Sequence, residues 1–120
     1  MNERLSEKAQ DLGRLIGQTE EYKALERARE RFQSDRPSVE ALNELADLEG
    51  RIAAGLERGE EPPEDVRAEY EKVFSTLQSS PIYQGMVAAQ SNFDRVLTRV
   101  NTEISKGIDA GAQSRIILPT

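Results

Sequence analysis

The stretch from Pro81 to Ile108 places the first limit on the fold. Its only charged side chains are Asp94, Arg95, Arg99, Glu103 and Lys106. Ile82, Met86, Ala89, Phe93, Val96 and Val100 recur at steps of three and four, the period of one helical face. Tyr83, Val87, Leu97, Ile104 and Ile108 widen that face. At ~1.5 Å per residue a helix over this stretch is about 42 Å long, which exceeds the diameter of a compact domain of this size. A helix apolar over so much of its circumference needs cover on more than one side. The pattern therefore predicts a long final helix, covered partly by the helices near the amino terminus and otherwise by a second copy of the chain or by another protein.

Four further helices follow from the same spacing. Leu5, Ala9, Leu12 and Ile16 define a first helix over about 4–17, stopped at Gly17. A second begins after Thr19, whose hydroxyl can accept from a free backbone N–H, and runs to about Ser34 with Glu20 and Glu21 in its first turn. Pro37 suits the opening turn of a third, on which Val39, Leu42, Leu45, Leu48, Ile52 and Leu56 recur, with Gly59 just past its end. GEEPP at 59–63 has the length of a connection between antiparallel helices. Val66, Tyr70, Val73, Phe74 and Leu77 mark the fourth helix, over about 63–78, which stops before Pro81. The expected fold is all-α: about five helices in an antiparallel helical bundle, with a long C-terminal helix and a projecting acidic helical hairpin. We expect one helical domain over 1–108 and a flexible or docking tail over 109–120 that carries the apolar residues Ile116–Leu118.

Two segments echo one another at a separation of 61 positions. Tyr22, Leu25, Ala28 and Phe32 stand at the same offsets as Tyr83, Met86, Ala89 and Phe93, and each set begins three residues after a hydroxyl, Thr19 or Ser80. A duplicated catalytic site is one reading. Two helices that start and pack alike is the other, and it is favoured because a Tyr in a first turn commonly buries its ring and leaves its hydroxyl at the boundary.

The residue inventory bears on chemistry. The chain has no Cys and no His, which excludes thiolate and imidazole metal ligands, Ser-His and Cys-His nucleophiles, and disulfides. Carboxylate pairs such as Glu40/Glu44 and Glu20/Glu21 lie on highly charged faces, where nothing apolar would tune them for catalysis. No glycine-rich phosphate loop is present. We expect no enzymatic activity, no cofactor, no bound metal and no membrane association. The charged amino-terminal residues and the lack of a membrane-spanning run suggest a cytoplasmic protein. A carboxylate-based metal- or small-molecule-binding protein is the alternative.

Net charge is −6, and it is unevenly placed. Residues 39–72 carry a net −7 and the remainder a net +1. This argues against direct nucleic-acid binding, despite Arg27, Arg29 and Arg31 on the second helix. It also marks Glu57, Glu60, Glu61, Glu64 and Asp65 as a candidate partner-facing acidic surface. The candidate interface residues on the long helix are Tyr83, Met86, Phe93, Val96, Leu97, Val100 and Ile104.

The succession AQDLGRLIGQTEEYKALERARERF, an acidic middle, and SSPIYQGMVAAQSNFDRVLTRVNTEISKGI resembles the YlbF/YmcA family of small helical bacterial regulators over residues 5–108. The resemblance implies an all-α fold, self-association and no enzymatic activity. It also implies an adaptor or regulatory role through protein–protein contact, in complexes influencing RNA processing, competence, sporulation and biofilm formation. Some relatives hold iron–sulfur clusters through cysteines. This chain has none, so that role is not carried over.

Overall fold

A computed structural model describes residues 1–117, the last four of them by their helical backbone alone. The described chain is all-α: α1 Glu3–Gly17, α2 Glu20–Ser34, α3 Arg36–Glu57, α4 Glu64–Gln78 and α5 Pro81–Ile117.

Local chemistry sets most of these limits. The Asn2 side chain accepts from the Arg4 and Leu5 N–H groups at 2.8 and 3.4 Å and so caps α1. Thr19 serves two helices at once. Its hydroxyl donates to the Ile16 carbonyl of α1 at 2.7 Å and accepts from the Tyr22 N–H of α2 at 3.1 Å. Ser80 takes the same N-cap position before α5, accepting from the Tyr83 N–H at 3.4 Å. Asp35 caps α3 by accepting from the Ser38 N–H at 3.2 Å, and the buried Ser38 hydroxyl also donates to it. At the far end of α3 the Gly59 N–H reaches the Leu56 carbonyl and the Glu60 N–H reaches the Gly55 carbonyl, at 3.0 and 2.9 Å. That double closure is the Schellman arrangement, and it places Gly59 at φ +75°, where a side chain would be strained.

The long helix departs from expectation at its end. It does not stop at Ile108 but runs on to Ile117, through most of the stretch read as a tail. Gly107 and Gly111 were weak stop signals: each costs about 1 kcal/mol in a helix, but Ala110 and Ala112 favour helix and no proline intervenes before Pro119. Leu118, the last residue of the short apolar patch, lies outside the described residues.

The chain groups into two compact units: Leu25–Ala88, and Met1–Ala24 with the chain from Ala89 onward. In the first of these, α3 and α4 pack as a hairpin. Phe32, Leu45, Leu48, Val66, Val73 and Leu77 form its core, with Val39, Ile52, Tyr70, Ile82, Tyr83 and Met86 against it. Burying a side chain of this size contributes ~1.5–3 kcal/mol, so the hairpin and its neighbours account for most of the fold's apolar burial. Leu42, Leu56 and Phe74, which share the apolar spacing of α3 and α4, are exposed. A core-facing stripe covers only part of a helix's circumference, and these residues fall at its margin. Phe74 lies parallel to Tyr70, ring centroids 5.9 Å apart, on the surface.

The second unit is built differently. Ala89 is its one buried apolar residue among those described, and α1 contributes no buried residue at all. Leu12, Ile16, Tyr22, Phe93, Val96 and Val100 are half-buried. Tyr22 meets Phe93 edge-on, with ring centroids 5.2 Å apart and planes inclined by 60°.

The echoed segments acquire a physical meaning here. In one unit Tyr22 meets Phe93; in the other Phe32 meets Tyr83, with centroids 6.2 Å apart. The Tyr of each segment is partnered by the Phe of the other. Edge-to-face and tilted aromatic pairs of this kind contribute ~0.5–1.5 kcal/mol beyond the area they bury.

Candidate interaction site

The apolar surface of α1 gathers Leu5, Leu12, Leu15 and Ile16 from positions that helical spacing places near one another. Leu5 is 57% exposed and Leu15 64%. On α5, Ile104 is 44% and Ile108 64% exposed, and Leu97 is also open to solvent. Between the two helices runs a groove of about 510 Å³, lined by Leu12, Val96, Arg99, Val100, Glu103 and Ile104. Its floor is aliphatic. Its charged rim consists of Arg99 and Glu103, one helical turn apart. Glu103 also accepts from the Lys106 ammonium at 3.2 Å, whereas Arg99 makes no ion pair among the described residues.

The interface residues read from sequence separate into two places. Val96, Val100 and Ile104 line the groove. Leu97 is exposed on the same helix, and Phe93 is held by Tyr22. Tyr83 and Met86 lie in the other unit, against its core. Spacing alone treats all seven as one stripe, because it cannot say which part of a long helix its own chain covers. Leu12, Arg99 and Glu103 were missed as site residues. The available signal was an oppositely charged pair four residues apart beside the apolar stripe.

Glu57, Glu60, Glu61, Glu64 and Asp65 are all exposed, around the connection between α3 and α4. Glu60 pairs with Arg58 at 2.9 Å. A second hollow, of about 370 Å³, lies beside them, with Arg51, Ile52, Gly55, Pro62 and Val66 among its lining residues. Among the described residues no three acidic side chains converge to hold a metal ion.

Among the described residues two groups have shifted acidity, one on α3 and one on α4. The Glu44 carboxyl is pushed above its usual range, first by a hydrogen bond with Glu69, then by burial and by the Glu69 charge, with Lys72 opposing. Burial raises the Tyr70 hydroxyl, and Glu49, to which that hydroxyl donates at 3.4 Å, adds to the shift. Neither group lies in the groove.

The fold and this surface define a small all-α protein with an apolar, charge-rimmed groove among its exposed features. The sequence matches the family described as "Control of competence regulator ComK, YlbF/YmcA" over residues 5–109, and the chain belongs to that family. No curated protein sequence matches it. Among solved structures it is similar to RicA of Bacillus subtilis, determined in complex with RicF. That match has a TM-score of 0.78 and 16% identity, and covers 93% of this chain and 99% of RicA. It is also similar to a protein of unknown function (DUF964) from Bacillus stearothermophilus, with a TM-score of 0.64 and 19% identity, covering 88% of this chain and 93% of that one. At these identities the likeness is one of fold. Among the described residues no helix is long and apolar enough to cross a membrane.

Proposed function

We propose that the chain is a non-enzymatic adaptor that acts in the cytoplasm as a homo-oligomer. In this reading it serves a regulatory assembly of the kind its family supplies to competence, development and RNA processing. One observation carries the reading: α1 is strongly amphipathic, yet none of its residues is buried. An apolar stripe left open in this way gains ~25 cal/mol for each Å² that a protein surface covers. RicA, which shares the fold, was solved with a second protein, RicF, and this supports a protein partner in addition to a second copy. The exposed carboxylates from Glu57 to Asp65 would suit a partner with a basic face, with long-range attraction that weakens as salt rises.

Sedimentation velocity at micromolar concentration tests the first part. The expected species is heavier than the 13.4 kDa chain. A single 13.4 kDa species across the concentration range would refute self-association.

A further inference from the structure

We infer that the occupant of the α1–α5 groove is the same groove of a second copy, with the two α5 helices antiparallel about a two-fold axis near Val100. This rests on the homo-oligomer reading and adds to it a surface and an orientation.

A two-fold axis perpendicular to a helix pairs residues that lie equally far before and after it. Val96 and Ile104 stand four residues on either side of Val100, and all three line the groove. Under such an axis Val96 meets the partner subunit's Ile104, and Val100 meets its own counterpart. The apolar floor is complementary to itself.

The charges agree with the same axis. Arg99 and Glu103 are centred on residue 101, a rise of only ~1.5 Å from Val100 and well within the reach of both side chains. They lie on one flank of the stripe, which in an antiparallel pair faces the same flank of the partner. Arg99 then meets the partner subunit's Glu103, and Glu103 meets the partner subunit's Arg99. Both rim charges are satisfied, in duplicate. A purely acidic or purely basic partner helix would satisfy one of them and repel the other.

Net charge favours the same surface. Residues 39–72 carry −7, so two copies joined there would repel. The rest of the chain carries +1 and opposes contact hardly at all.

The test is a charge swap measured by sedimentation at low salt. Exposed ion pairs contribute ~0.2–1 kcal/mol each, and reversing one residue turns two attractive pairs into two repulsive ones. Arg99→Glu and Glu103→Arg, each alone, should weaken self-association about tenfold or more. The double variant R99E/E103R should return to within about threefold of the parent. An equimolar mixture of the two single variants should form mixed dimers, because each supplies the charge that the other needs; a misfolded variant could not be rescued in this way. Single variants that associate like the parent would place the interface elsewhere and overturn this inference while leaving the homo-oligomer reading intact. Failure of both the double variant and the mixture to recover would overturn it equally. A monomeric parent chain would overturn both.

Discussion

Replacing Thr19 with alanine should destabilise the protein through two contacts at once, and the structure separates their sizes. The hydroxyl accepts from the Tyr22 N–H at 3.1 Å, an N-cap bond whose loss typically costs ~1 kcal/mol. It also donates to the Ile16 carbonyl at 2.7 Å, but that carbonyl still accepts from the Thr19 backbone N–H at 3.2 Å, so the second loss is small. For a chain of this length the entropy of unfolding is about 0.25 kcal/mol per kelvin, so the substitution should lower Tm by ~4 °C. Thr19→Ser keeps the hydroxyl and should recover most of the loss. Ser80→Ala should cost less than Thr19→Ala, because its bond to the Tyr83 N–H is longer, at 3.4 Å. Urea unfolding at one fixed protein concentration reads all three, with the m-value expected to stay constant. If Thr19→Ala unfolds with the parent, or Thr19→Ser falls as far as Thr19→Ala, the hydroxyl is not what joins these helices.

Two further outcomes follow from single positions. Gly50 lies inside α3 with nothing within 4 Å of where a Cβ would stand, so Gly50→Ala should raise stability by ~0.4–1 kcal/mol in the same urea assay. Glu44 binds its proton more tightly in the folded chain than in the unfolded one, so folding stability should fall as pH rises through the range just above 4.5. Glu69→Gln removes the neighbouring charge. It should flatten that slope and raise stability at pH 7, as followed by thermal unfolding across the pH series.

Much of the fold was legible because its signals are local. A hydroxyl before Glu20, a proline at the second residue of α3 and a glycine after Arg58 each act on the nearest turn of backbone, and each helix limit they imply lies within a residue or two of the observed one. The end of α5 was less legible. There the glycines compete with a helix already running, and extending an existing helix costs far less than starting one. The exchange of Tyr and Phe between the echoed segments could not be read at all, since the spacing is identical whether the segments pack on each other or on something else. The groove has the same origin. Leu12 and Val100 are 88 positions apart, and only tertiary structure brings them to one surface.

The junction at Thr19 has a consequence for how the chain can vary. Only Gln18 and Thr19 separate α1 from α2, and one hydroxyl is bonded to both helices. A residue added or removed just before it would turn the whole of α1 by about 100°. Leu12 would then rotate out of the groove although no residue lining it had changed. The junction works as a phase lock: it tolerates some exchange of side chains but no change of length, and it ties the rotational setting of α1 to a single side chain.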